Sequence, residues 1–166
     1  ETLDSVLGQT FRDLEVLVVD NASSDGTAEL MESYVSRDPR VKYIRKPVNK
    51  GVMDSYRLGL QNSSGEYQAF LDSDDTMLPN RLEKQVKILD QRPDVSLVFT
   101  GYYYTDAQGR KLRKSPIYPD HNHLDQLLLS CFIQWNTIVM RRTALNATGP
   151  FDDSLSHSWD WDFLLR

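Results

Sequence analysis

Cysteine is nearly absent: the 166 residues contain one, Cys131. A lone thiol excludes an internal disulfide framework and fits a reducing compartment. It lies in the apolar run Leu127-Leu128-Leu129-Ser130-Cys131-Phe132-Ile133, which predicts a small core residue rather than a catalytic thiol. Long apolar stretches are missing too. None approaches the roughly 20 residues that a membrane-spanning helix needs, and the opening residues carry no signal-peptide pattern. Positive charge is in deficit, with 19 Lys and Arg against 24 Asp and Glu, a net charge of −5. Without a basic face to neutralise phosphates, nucleic acid is excluded as a partner. The local basic stretch Arg110-Lys111-Leu112-Arg113-Lys114 reads as a solvated loop or hairpin able to touch anionic lipid. These features point to a cytoplasmic protein, with peripheral association at the inner face of a membrane as a further expectation.

The composition is otherwise that of a globular protein, 40% apolar and 26% charged, and the length suits one domain with a sizeable core. Glu15-Val16-Leu17-Val18-Val19 reads as a strand buried on both faces. The turn-rich segment Asp20 to Gly26 ends it, and Thr27 to Val35 has helical spacing. Arg40 to Arg45 alternates as a short strand, and Val52 to Leu60 reads as a helix stopped by Ser63-Ser64-Gly65. Tyr67 to Leu71 is an apolar strand. Pro79 suits a first helical turn, and Leu82, Val86 and Leu89 form one helical face. Val95 to Tyr104 is expected as one long strand, with Tyr102-Tyr103-Tyr104 alternating between core and solvent. A helix near Leu124 to Leu129, a strand near Asn136 to Met140 and a closing helix from Trp159 follow. The alternation predicts an α/β fold: a mostly parallel sheet with helices on both faces. Helical spacing at Glu1 to Gln9 with no strand before it, and a helix still in progress at Arg166, predict an internal fragment: a single domain truncated at both ends.

Three acidic sites carry the chemistry. Asp72-Ser73-Asp74-Asp75 follows a predicted strand and packs three carboxylates into four residues. Such a cluster repels itself unless a cation enters it, and Mg²⁺ or Mn²⁺ favours carboxylate oxygens with a phosphate partner. A solvated Asp/Ser turn is the alternative. Asp20-Asn21 also ends a strand, and ligands of open α/β sheets bind beyond the carboxyl ends of strands. Asp can accept from a ribose hydroxyl, and either residue can meet a base edge. Ser23, Ser24 or Asp25 is expected to cap the following helix. Ser158-Trp159-Asp160-Trp161-Asp162-Phe163 sets two acids among aromatics that exclude water and raise carboxylate basicity, so one can serve as a general base. An amphipathic helix with a wet Asp face is the alternative. His121-Asn122-His123 reads as a solvated loop. Core packing is the favoured role for Trp135.

In their order these motifs are similar to the family-2 glycosyltransferases, inverting enzymes of the GT-A (Rossmann-like) fold. Ser5 to Phe11 resembles the family's first-helix ending and Val18 to Thr27 its nucleotide-binding segment. Gly65 to Asp75, with Leu78 to Gln85, resembles its metal-binding strand end and following helix. Gly149 to Leu155, with Trp159 to Asp162, resembles the segment of its catalytic base. The resemblance implies Asp20, Asn21, Lys50, Asp72 and Ser73 as nucleotide-binding residues. It implies Asp72 and Asp74 as ligands of Mg²⁺ or Mn²⁺, Asp160 as the base, and an acceptor side near His157, Trp135 and Asn136. It implies a nucleoside-diphosphate sugar as donor, a saccharide or lipid-linked saccharide as acceptor, and a place in polysaccharide biosynthesis. Two positions depart from the pattern: Asn21 stands where Asp is frequent, and Trp159 where Glu is frequent. A non-catalytic nucleotide-sugar-binding domain and a nucleotidyltransferase are the rival readings. The second usually brings a glycine- and basic-rich phosphate loop near its first strand.

Overall fold

A computed structural model describes residues 1–116 and 122–166. His121, part of the histidine reading above, lies outside the described residues. Helix α1 (Thr2–Leu7) opens the chain, and the β-branched run after it forms β1 (Val16–Asp20). Strand β1, helix α2 (Thr27–Arg37), strand β2 (Val41–Arg45) and helix α3 (Val52–Asn62) belong to one compact unit, Thr10–Glu66. β1 and β2 pair in parallel, from Val16 opposite Val41 to Asp20 opposite Arg45, as a helical crossover between neighbouring strands requires. Met31 of α2 and Val41 of β2 are buried, and α3 packs on β1. Glu15, just before β1, closes this unit. Its carboxylate accepts from the Ser64 N–H, the Ser64 hydroxyl at 2.8 Å and the Gly65 N–H at 3.1 Å, and pairs with Lys42 at 2.7 Å.

The second unit joins Glu1–Gln9 to Tyr67–Arg166. In chain order it holds β3 (Tyr67–Ala69), α4 (Arg81–Gln91), β4 (Leu97–Val98), β5 (Tyr103–Thr105), β6 (Lys111–Lys114) and α5 (His123–Leu129). A 3₁₀ turn at Trp135–Thr137, β7 (Val139–Arg141), α6 (Arg142–Thr148) and α7 (Trp159–Leu165) complete it. β7 lies between β3 and β4 and runs antiparallel to both. β3 and β4 therefore point the same way, and β7 is the element that a mostly parallel sheet does not anticipate. α4 buries Leu82, Val86 and Leu89, the helical face expected from their spacing, against β4 and β7.

The long strand expected from Val95 to Tyr104 is broken. β4 pairs with β7, whereas β5 pairs with β6 as a separate hairpin. At the break Ser115 takes both backbone groups of Tyr102: its N–H donates to the Tyr102 carbonyl at 2.8 Å, and its hydroxyl accepts from the Tyr102 N–H at 3.0 Å. A Cβ at Gly101 would stand only 3.1 Å from the Ser115 hydroxyl, so the chain passes most easily there without a side chain. β5 and β6 are exposed along their whole length and Tyr102 is half-buried, so none of the three tyrosines is a buried core residue.

Candidate active site

The acid loop begins where β3 ends. Phe70 is buried, and its ring lies 4.6 Å from that of Trp135. Asp72 follows, half-buried, and Ser73, Asp74 and Asp75 are exposed. Helix α1 holds one side of this loop and its continuation. The Thr2 hydroxyl donates to the Ser73 carbonyl at 2.7 Å, and the Ser5 hydroxyl accepts from the Met77 N–H at 3.1 Å. Gln9, with no exposed surface, donates to the Leu78 carbonyl at 2.8 Å and accepts from the Leu82 N–H at 3.1 Å. It thereby satisfies a free N–H of the first turn of α4. Gln9 is thus structural and fixes the chain between the acid loop and α4.

Asn136 holds the other side. Its amide Nδ2 donates to Asp72 Oδ2 at 2.9 Å and to Asp75 Oδ2 at 2.5 Å. Nearby Arg81 donates to Gln85 Oε1 at 2.9 Å and to the Ile138 carbonyl at 3.3 Å. Burial pulls the Arg81 pKa down to about 10, against the charge of Asp75. Gln85, almost fully buried, donates to the Val98 and Thr137 carbonyls at 2.9 Å each. Sequence reading set Asn136 on the acceptor side. The structure ties it to the acid loop, a link for which a single polar residue between Trp135 and Thr137 gives no local signal.

Trp135 also connects to α7. Its ring lies 5.1 Å from Trp159 and 5.6 Å from Phe163, and Phe151 lies 5.1 Å from Trp159. One aromatic cluster therefore supports the chain as it leaves β3 towards Asp72 and the helix turn that carries Asp160. Asp160 is half-buried. Asp162 turns instead to Arg166, at 3.0 Å, and the Trp161 indole donates to the Leu127 carbonyl at 2.6 Å.

Two expectations need correction here. Cys131 is at the surface, because the apolar run around it is not a single buried stretch: Leu128 and Leu129 are 62% and 85% exposed. The thiol itself is partly covered, and burial first and the Asp160 charge second raise its pKa. His123 is not a solvated loop residue. It opens α5, with its ring 5.4 Å from Phe99 and 5.9 Å from Phe132. His157 is exposed, with the Ser156 hydroxyl 2.9 Å from its Nδ1.

Asp20, Asn21 and Lys50 lie in the Thr10–Glu66 unit. Asp20 is buried and accepts from the Ser23 N–H at 2.8 Å and the Tyr43 hydroxyl at 2.6 Å, with Arg45 at 3.7 Å. Burial alone would raise its pKa, but these bonds and the Arg45 charge lower it. The same hydrogen bond pushes Tyr43 up to about 12. Asn21 donates to Asn49 Oδ1 at 2.6 Å and accepts from the Lys50 N–H at 3.2 Å, so the structure brings Asn21 and Lys50 together through the Lys50 backbone. The Lys50 side chain is exposed. The N-cap of α2 is Gly26, with no side-chain cap bond, and Asp25, one residue earlier, accepts from the Thr27 N–H at 3.0 Å. Between them Ala22 has φ 66°, a left-handed conformation unusual for a residue with a Cβ.

Among the described residues, no three His, Cys, Asp or Glu side chains form a group able to enclose a metal. The acid loop nevertheless supplies hard oxygen donors in a partly open setting. That suits Mg²⁺ or Mn²⁺ held by few protein ligands beside a phosphate.

The chain's architecture matches solved glycosyltransferases. S. aureus TarS superimposes with a TM-score of 0.75 at 22% identity, over 98% of this chain and 48% of TarS. The mannosyltransferase PcManGT of Pyrobaculum calidifontis, solved with GDP-Man and Mn²⁺, does so with a TM-score of 0.66 at 22% identity, over 91% of this chain and 42% of that one. The fold is thus GT-A. The chain belongs to glycosyl transferase family 2, whose profile matches residues 1–149. An uncharacterized glycosyltransferase of Methanocaldococcus jannaschii is 29% identical over all of this chain and 58% of its own length. A Bacillus subtilis glycosyltransferase named for teichuronic acid biosynthesis, TuaG, is 32% identical over 86% of this chain and 56% of its own length. The chain spans about half the length of such relatives.

Proposed function

We propose that this chain carries the donor-binding and catalytic residues of an inverting glycosyltransferase that uses a divalent cation. The observation that carries the reading is the aromatic cluster of Phe70, Trp135 and Trp159. It supports an acid loop suited to a diphosphate and a half-buried carboxylate suited to a base in one unit of the fold. Asp72 and Asp74 would hold Mg²⁺ or Mn²⁺, which when bound supplies positive charge to a departing diphosphate. Asp160 takes the proton from the acceptor hydroxyl as that oxygen attacks the anomeric carbon. The attack comes from the face opposite the leaving group, so one displacement inverts the configuration. Trp135 and Trp159 limit water at the base, and Asp162 is spared for its pair with Arg166. Ser73, Asp20, Asn21 and Lys50 are assigned to the nucleotide, Asp20 through the loop it braces rather than by a free carboxylate.

The donor class follows from the same chemistry: a nucleoside-diphosphate sugar, the kind of ligand with which TarS and PcManGT were solved. The acceptor class is a saccharide or lipid-linked saccharide, placing the reaction in polysaccharide biosynthesis. The test is calorimetry of UDP and GDP with Mn²⁺ and with EDTA, followed by a transfer assay across a panel of nucleotide sugars. Binding is expected only with the cation, and weakened by Asp74→Ala. Equal affinity in EDTA would remove the metal from the mechanism.

A further inference from the structure

We propose that Asn136 is the positioning residue of the acid loop. This rests on the transferase reading above. Asn136 is 6% exposed, and one amide nitrogen serves both Asp72 and Asp75. Its other end, Oδ1, is buried without a hydrogen-bond partner among the described residues. An unsatisfied buried acceptor is a cost to the fold, and the buried Trp135 and Ile138 on either side of the turn's polar pair show that apolar side chains are accommodated here. The reverse orientation of the amide would set its oxygen against two carboxylates. The side chain is therefore kept for what Nδ2 does. A neutral donor draws two carboxylates together and fixes their direction without cancelling their charge. A Lys or Arg in the same place would hold them equally well and repel the cation. The mount is stiff on both sides: Trp135 is fixed in the aromatic cluster, and the Thr137 carbonyl is held by Gln85. Ligand orientation by such outer partners governs metal affinity.

The experiment uses the whole chain and reads Mn²⁺ affinity from the spectroscopic signal of free Mn²⁺, with UDP or GDP present, alongside urea unfolding. Asn136→Leu removes both the donor and the orphan acceptor. It is expected to leave stability equal or higher while lowering Mn²⁺ affinity by roughly 10- to 100-fold. Asn136→Ala, the second variant should the leucine not fit, is expected to lose affinity to the same degree. Stability lost with Mn²⁺ affinity unchanged would make Asn136 merely structural and overturn the proposal. If Asp74→Ala loses Mn²⁺ while both Asn136 variants keep it, the transferase reading stands and the proposal alone fails. If the unaltered chain binds no Mn²⁺ with either nucleotide, both fail.

Discussion

At the scale of single residues, Asp160 and Asp162 stand two positions apart in α7, where helix geometry turns them in different directions. Asp162 is paired with Arg166 at 3.0 Å, whereas Asp160 neighbours Trp159 and the Cys131 thiol. Asp160→Asn should lower transfer by roughly 10²-fold or more, the usual loss when a general base is removed, and leave nucleotide affinity unchanged. Asp162→Asn should cost at most about 0.5 kcal/mol, as a partly exposed i,i+4 pair does. Kinetics and urea unfolding of both variants decide it, and the opposite pattern would move the base to Asp162. These acids were legible in the sequence because each sits at the edge of an aromatic or apolar run. Asn136 was not, because its partners lie 61 and 64 residues away in the chain, and no periodicity marks a lone amide.

At the scale of elements, Glu15 ties the approach to β1, the edge of β2 and the end of α3. Burial works to raise its pKa, but the bonds from Lys42, Ser64 and Gly65 lower it to about 2 from 4.5. A carboxylate whose pKa is depressed by folding stabilises the native state above its unfolded value and loses that contribution as pH falls through its folded one. Unfolding free energy should therefore fall by about 2 kcal/mol between pH 4.5 and pH 2 on account of this group. In Glu15→Gln that part of the slope should vanish, as parallel urea titrations would show. Periodicity foretold β1, α2, β2, α3 and α4, whose faces repeat over a full element. It failed at the break between β4 and β5, since alternation continues through a strand that changes partner. It also missed α6, too short at Arg142–Thr148 for a repeat to emerge.

At the scale of the whole molecule, charge is unevenly shared. The chain carries −5 overall, yet Lys111, Arg113 and Lys114 on β6 have no ion-pair partner among the described residues. Lys111 and Arg113 lie over the rings of Tyr103 and Tyr104, at 4.5 and 4.4 Å. A register shift makes Leu112 the extra residue between the Lys111 and Arg113 pairings, 68% exposed. Tyrosines, cations without an acidic partner and a projecting leucine suit an anionic lipid surface. No helix among the described residues is long and apolar enough to cross a membrane. Sedimentation with vesicles should show binding to phosphatidylglycerol-containing but not neutral lipid, weakened by salt. The triple change of Lys111, Arg113 and Lys114 to Glu should abolish it, and binding unaffected by that change would exclude the hairpin.

The contribution of α1 to the acid loop has a consequence for the order of events at the ribosome. Thr2, Ser5 and Gln9 bind residues 73 to 82, and the segment between them closes as its own unit, Thr10–Glu66. During synthesis the strands and helices described for residues 10–66 are in hand once residue 66 emerges. Residues 1–9 must wait for partners made later, and the acid loop waits longer still, until Asn136 leaves the exit tunnel. Domains made early generally fold early. Stalled chains of increasing length, pulsed with protease, should show protection of residues 10–66 first. Protection of residues 1–9 should follow as a separate, later step.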